Sequence, residues 1–329
     1  MTRLQFAKKT FFCICIYSGV SVFPTSSITE IFEKESPEVP GPWFTGPLLA
    51  PSANTIPAKH VNVEPYVYFI GSGGFYNGKG RKVETPESYS LLSQNYLQMG
   101  LTSFIDCQVV PQLFYQFTQG KKSVQAGDLP IQLGFQLLQA TKQGFAPSIK
   151  LALKATIPWA KYDDLDPEKL GTDGVGSGSW IPGVGLNFGK LFKVSKTAYC
   201  STRLSFSYTA PNPVSVKGLS VYGGGSDTKG TAYPGNSFST DLALEYMLTQ
   251  NWVFATDIYY VYNNKTRFSG YAGTSGEPGG PFSERLSLAP AIEYNWSLNV
   301  GIITGAWFTV WGRNGSSFAG SVTAVNVYF

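Results

Sequence analysis

Charge is scarce in this 329-residue chain: Asp, Glu, Lys and Arg together make up 14% of it, where a soluble domain carries roughly a quarter. Histidine occurs once, as His60, and the part of the chain after the N-terminal segment has no close cysteine pair, so neither a metal nor another cofactor is expected. Of the four cysteines, Cys13 and Cys15 fall in that segment. Cys107 and Cys200 fall on strands about four apart at roughly 4.8 Å per strand, too far for a disulfide, so two free thiols are predicted.

Long apolar runs are lacking too. The one candidate, "TFFCICIYSGVSVF", is shorter than the ~20 residues of a spanning helix. Arg3, Lys8 and Lys9 precede it and small residues follow near Gly19 to Ser27, so residues 1–27 read as a signal peptide and the chain as exported. A short N-terminal anchor is the alternative, and Pro24 counts against it.

What the chain has in quantity is aromatic residues (15%) and glycine (36), with a mean hydropathy of −0.04. Alternating polar and apolar residues average out in this way, whereas helical spans would raise the mean. Twelve segments of about ten or more residues alternate at period two: 61–70, 94–103, 107–117, 129–139, 148–159, 180–191, 197–209, 237–248, 252–262, 285–296, 300–311 and 318–329. Such weak, repeated alternation separated by turn residues marks a membrane barrel. Long Gly-, Ser- and Pro-rich connections follow the first, fifth, seventh and ninth segments, and short ones follow the even-numbered segments through the tenth. The expected fold is all-β: a closed antiparallel transmembrane β-barrel of about 12 strands over residues 60–329, both termini periplasmic.

Facing follows from parity. In "ERLSLAPAIEYNW", Leu286, Leu288, Pro290, Ile292, Tyr294 and Trp296 take the lipid side. Ile149, Leu151, Leu153, Ala155 and Ile157 do so in "PSIKLALKATIPW", because a lysine facing mid-membrane lipid would cost ~2–4 kcal/mol. Trp159, Trp180, Tyr260 and Trp311 are assigned to the outer aromatic ring, and Trp252, Trp296, Tyr246 and Phe329 to the periplasmic one. The last strand, "SVTAVNVYF", is expected to close against the first and so lose its edge. Its final Phe329 resembles the C-terminal signal read by the barrel-assembly machinery.

The predicted lumen has a wall of amides: Gln94, Gln98, Gln108, Gln112, Gln116, Gln132 and Gln136. They can donate and accept at once, hydrating a pore or binding polar solutes. Its charges are Lys150, Lys154 and Arg203 on one arc, then Asp241, Glu245, Asp257, Arg285, Glu293 and, across the closure, Glu64. These either set up a transverse field across a constriction or pair with one another and fill the barrel. Eight strands are filled by side chains and 16 enclose water, so twelve predict a narrow or plugged pore. Residues 28–59, with "PEVPGPWFTGPLLAPSANTIP", read as a Pro-rich plug or as a flexible periplasmic linker; Trp43, Phe44, Leu48 and Leu49 need apolar surroundings.

Several stretches carry a family resemblance. "LQMGLTSFIDCQVVPQLFYQF" resembles the glycine-leucine-threonine hairpin, and "AGDLPIQLGFQLL" the following strand, of the outer-membrane proteins named for the meta-pathway of phenol degradation. "PSIKLALKATIPWAK" followed by "GTDGVGSGSWIPGVGLNFGKLF" is similar to that family's next hairpin. The resemblance spans roughly Tyr96 to Phe192 and departs from the family at Trp159, where glycine is usual. It implies an outer-membrane transporter or channel of Gram-negative bacteria for aromatic and other hydrophobic compounds.

The leading functional expectation is therefore porin-like passage of small molecules, the solute being unknown. The alternative is a structural or surface-interaction barrel acting through its long loops, where Asp163, Asp164, Asp166, Glu168 and Lys169 read as solvated residues beside lipopolysaccharide. An enzyme is not expected, since His60 sits at the start of the first strand, away from the wall and rim where barrel hydrolases work. The expected partners are outer-membrane lipid, lipopolysaccharide and the assembly machinery, with no nucleic acid.

Overall fold

The computed structural model describes residues 41–141, 145–195 and 198–329. The signal-peptide reading and the first part of segment 28–59 lie outside the described residues. The strands run β1 Val61–Tyr76, β2 Lys82–Gly100, β3 Ile105–Val109, β4 Gln112–Thr118, β5 Lys121–Ala126, β6 Leu129–Leu138, β7 Ser148–Ile157, β8 Ile181–Lys193 and β9 Tyr199–Thr209. They continue as β10 Val214–Lys217, β11 Lys229–Tyr233, β12 Ser237–Met247, β13 Trp252–Asn263, β14 Arg267–Tyr271, β15 Ser283–Asn295, β16 Val300–Arg313 and β17 Gly315–Tyr328.

All except β10, β11 and β14 belong to one antiparallel sheet in which β1 pairs with both β2 and β17, so the sheet closes on itself. β3 and β4 are halves of one strand, parted where Pro111 brings no N–H to the ladder. β5 and β6 are halves of the next, parted at Gly127 and Asp128. Counted in this way the wall is a closed barrel of twelve strands. The seam is complete to its end: Val61 N–H donates to the Phe329 carbonyl at 3.1 Å and Phe329 N–H to that of Val61 at 2.9 Å. Neither strand keeps an open edge.

The alternation sorts side chains as parity predicts. In β15, Ser287, Ala289 and Glu293 are buried inside while Leu286, Leu288 and Ile292 lie on the outer face. In β7, Lys150 is fully buried whereas Leu153, on the outer face, is 46% exposed. An outer face carrying Phe69, Leu113, Leu153 and Leu242 in the open is far too apolar for water and suits a bilayer's hydrocarbon. Leu153→Arg is accordingly expected to destabilise the barrel by about 2–4 kcal/mol, read as a lower urea midpoint in lipid vesicles; an unshifted midpoint would place Leu153 away from lipid. Cys107 and Cys200 are both free.

The structure departs from the sequence reading in several places; residues 121–126, read as a connection, form β5, and residues 101–103, read as strand, lie beyond the end of β2. Residues 71–90, read as mostly loop, are mostly strand, because β1 and β2 run on past the predicted ends and leave only residues 77–81 as the turn. Their polar and glycine residues would not suit lipid, but beyond the membrane Tyr76↔Lys82 and Gly74↔Glu84 can pair in water. The long connections after β9 and β13 are likewise partly ordered, as a three-stranded sheet β10–β11–β14 over Val214, Val216 and Ala232. There the Thr274 N–H holds the Asp227 carboxyl below its ordinary range. Finally, Asp106, read as part of a turn, lies in β3 and faces inward with no exposure.

Candidate functional site

The barrel encloses the described part of the Pro-rich segment. Its prolines and glycines keep residues 41–59 out of any helix or strand run, so its main-chain polar groups must find partners elsewhere. The inward side chains of the wall supply them.

At the short-turn end, Gln250 Nε2 donates to the Gly41 carbonyl at 2.9 Å. Higher up, Thr45 N–H donates to Glu293 Oε2 at 2.8 Å and the Thr45 hydroxyl to Asn295 Oδ1 at 2.8 Å. Near mid-barrel the Asp257 carboxylate accepts three successive N–H groups, from Leu48 (3.1 Å), Leu49 (3.3 Å) and Ala50 (2.9 Å). Arg203 donates to the Ala50 carbonyl at 3.2 Å. The chain then turns back. Asn187 donates to the Ser52 carbonyl and Lys150 to that of Asn54, both at 3.2 Å. Gln136 accepts from Thr55 N–H at 2.7 Å and donates to the Ala53 carbonyl at 2.9 Å. Ile56 N–H donates to Asp106 at 3.2 Å. By Lys59 the segment is back at the short-turn end, bonded to the Gly100 carbonyl at 3.1 Å. The segment is thus a loop rising into the lumen, with Asp257 holding its apex.

Two glycines in the wall make room for it. A Cβ on Gly100 would stand 2.0 Å from the Pro57 carbonyl oxygen, and one on Gly301 would stand 2.1 Å from the Thr45 hydroxyl. Apolar burial adds to the polar contacts: Leu48, Leu49 and Ile56 are essentially fully buried, each such side chain contributing about 1.5–3 kcal/mol.

The predicted lumen residues all lie on inward faces, but with unequal partners. Gln94 donates to Gln112 at 3.3 Å and Gln98 to Asp106 at 2.6 Å; Gln108, Gln116 and Gln132 are buried. Asp106 pairs with Lys150 at 3.3 Å and Glu245 with Arg203 at 3.5 Å, with every side chain in these pairs nearly or fully buried. Lys154 reaches the Ser207 hydroxyl at 3.1 Å. Arg285 stands 5.3 Å over the Phe318 ring. Glu64 and Asp241 are buried. Phe329 sits at the seam, where His60 Nδ1 lies 3.0 Å from its carbonyl and the His60 ring stacks on Tyr328.

Two sets of lumen residues were not read from the sequence. One is Asp106, the hub that joins Lys150, Gln98 and Ile56. The other is an inward aromatic surface of Tyr66, Tyr68, Tyr96, Tyr259, Trp307 and Phe318, packed with Leu48 and Leu49. The parity that turned Glu64 inward applies equally to Tyr66 and Tyr68. Toward the long-loop end the same cluster includes Ala160 and Val175 from the connection after β7. That connection is pinned by the Asp128 carboxylate, which accepts the N–H groups of Trp159 (3.1 Å), Ala160 (3.0 Å) and Ser177 (2.7 Å).

Asp257→Asn keeps the shape of the apex contact but removes its charge, and hydrogen bonds to charged groups contribute about 1.5–3 kcal/mol each. With the native cysteines replaced by alanine, Ser52→Cys is expected to react several-fold faster with a water-soluble thiol reagent when Asp257→Asn is also present. Equal rates would mean that Asp257 does not hold the segment in place.

No family model matches the sequence, and no curated protein matches it. Among solved structures, an outer membrane channel from Pseudomonas putida F1 is similar with a TM-score of 0.63 and 12% identity, over 84% of this chain and 98% of that one. The transport unit of the autotransporter AIDA-I from Escherichia coli gives a TM-score of 0.45 at 9% identity over 93% and 100%. A KdgM porin gives 0.38 at 8% identity over 82% and 99%. At such identities the likeness to the Pseudomonas channel shows a common fold, that of an outer-membrane β-barrel.

Proposed function

We propose that the protein is an outer-membrane channel or transporter for small molecules, with residues 41–59 acting as a plug in its lumen. Membership of the phenol meta-pathway family, periplasmic termini and an assembly role for Phe329 belong to the same proposal. One observation carries it: the buried charges of the wall bond the main chain of a segment that rises into the lumen from outside the wall. A barrel that needed only a filled interior would fill it with side chains of its own wall. The inward aromatic surface supports aromatic or hydrophobic solutes, and the amide wall supports a wetted path beside them.

Planar-bilayer recording of the purified chain tests the reading, with discrete conductance steps as the expected result. A bilayer that stays closed at all voltages would instead favour a surface-interaction barrel, a reading supported by the β10–β11–β14 sheet built into the long connections. Liposome swelling with sugars, set against uptake of aromatic compounds, then addresses the solute. No hydrolytic role is proposed, because His60 is engaged with Tyr328 and Phe329 at the short-turn end.

A further inference from the structure

The three-stranded sheet at the long-loop end has two unlike faces. β11 runs into β12 through residues 234–236, and β14 leaves β13 through residues 264–266, so the sheet continues from the barrel wall. One face carries Val214, Val216, Ala232 and Phe268 and packs on Tyr162 and Tyr222. The residues alternating with these point the other way, to solvent. Their cross-strand register sets them in three rows. Lys217 lies opposite Lys229, and Lys229 opposite Tyr271; Ser215 lies opposite Thr231, and Thr231 opposite Ser269; Tyr233 lies opposite Arg267. All of them are exposed except the half-buried Thr231. The rows cover roughly 10 Å across the three strands and roughly 14 Å along them.

Charge on this face is of one sign. Three of its described residues are cations and none is acidic. Lys217 and Lys229 stand directly across from each other, about 4.5–5.5 Å apart at Cβ, where like charges repel. Among the described residues, no ion pair relieves either lysine or Arg267. The same connections do carry carboxylates, but at the margins and already engaged. Asp163 accepts the Lys217 N–H at 3.0 Å beside β10. Asp227 accepts the Thr274 N–H at 2.9 Å and the Tyr271 hydroxyl at 3.4 Å beside β14. A sheet shaped by stability alone would set an acid opposite one of the two lysines. Uncompensated charge kept on an exposed face suits an anionic partner.

We propose that the exposed face of β10–β11–β14 binds an acidic polysaccharide, one bearing carboxylate or sulfate groups. Lys217, Lys229 and Arg267 would pair with the acidic groups. The row of Ser215, Thr231 and Ser269 between them matches sugar hydroxyls, since each hydroxyl both donates and accepts. Tyr233 and Tyr271, 44% and 57% exposed, present a flat apolar face with a polar tip. A glycan is favoured over a membrane lipid because the two lysines lie at the end of the sheet remote from the barrel strands, away from the bilayer. The face serves this role whether or not the barrel conducts.

Surface plasmon resonance on the full chain in a zwitterionic detergent tests this, with a short heparin oligosaccharide as the probe, dextran as the neutral control and purified lipopolysaccharide in a separate run. The expected result is saturable heparin binding that weakens with salt, none of dextran, and affinity about tenfold weaker when Lys217→Ala and Lys229→Ala are combined. Lys79→Ala combined with Arg81→Ala removes as much charge at the β1–β2 turn, which β15, β16 and β17 separate from β13; the affinity of this variant is expected to be unchanged. Because Lys229→Ala relieves a repulsion, its melting temperature is expected not to fall, so weaker binding there is not misfolding. Absence of saturable heparin binding, equal binding of dextran, an equal loss in the β1–β2 variant, or binding of lipopolysaccharide alone would overturn the proposal. None of these measurements reads conductance, so a failure here is separate from a failure of the channel reading.

Discussion

Deleting residues 41–57 raises single-channel conductance several-fold over that of the intact chain. The deletion withdraws the loop that reaches from Gly41 beside Gln250 to the apex at Asp257 and back to Gly100. The side chains it exposes are charged or amide-bearing: Asp257, Glu293, Arg203, Lys150, Asn187 and Gln136. Water replaces the lost main-chain partners at little cost, because such groups are well hydrated once the lumen is open. The same deletion removes the buried Leu48, Leu49 and Ile56 from the interior, so the shortened barrel is expected to melt at a lower temperature. Unchanged conductance in planar bilayers would show that the segment does not limit passage, whatever its effect on melting.

Lys150→Met is expected to destabilise the barrel by about 3–5 kcal/mol, whereas Lys150→Met combined with Asp106→Leu should recover most of that loss. Both side chains of the pair have zero exposure. The single change leaves the Asp106 carboxylate buried with, among the described residues, the Gln98 amide and the Ile56 N–H as its hydrogen-bond donors. Replacing both removes the desolvation cost as well as the attraction, which is why a buried pair is harder to break than to exchange. Urea unfolding in lipid vesicles reads both variants. A single variant as stable as the parent would contradict the pairing, and a double variant no better than the single would show that Asp106 matters through Ile56 and Gln98 rather than through Lys150.

Much of the wall could be read from residue order alone. The facing of β7 and β15 was legible because alternation is local: successive Cβ atoms point to opposite sides, and a lysine or glutamate in an apolar run fixes the phase. Where the phase-setting residue lay at a strand end, the reading slipped. Asp106 follows "TSFI" directly after a predicted turn, and nothing local shows that β3 begins at Ile105 rather than two residues later. The extended tips of β1 and β2 were hidden for a different reason: their Gly, Pro and charged residues look like loop to any rule tuned to lipid. Outside the bilayer, pairing with a neighbouring strand is enough to keep them extended.

Tyr66 and Tyr68 show how far parity reaches and where it ends. Parity puts them on the same face as Glu64, but polarity is what marks a residue as facing a wet lumen, and rings in a barrel are expected first at the membrane interfaces. That these tyrosines form one surface with Tyr259 depends on curvature, since Trp307 of β16 touches both Tyr68 of β1 and Tyr259 of β13, strands with which β16 is not paired.

By itself the sequence determined the twelve-strand wall, its inward and outward faces and its closing seam, because each follows from period-two alternation and from the need to pair strand edges. The destination of residues 41–59 was decided only by tertiary structure. Asp257 and the N–H groups it holds lie more than two hundred residues apart in the chain, and a proline-rich stretch has no periodicity to show which face, if any, it will meet. Closure of the barrel brings those groups together and makes the lumen charges partners of a backbone.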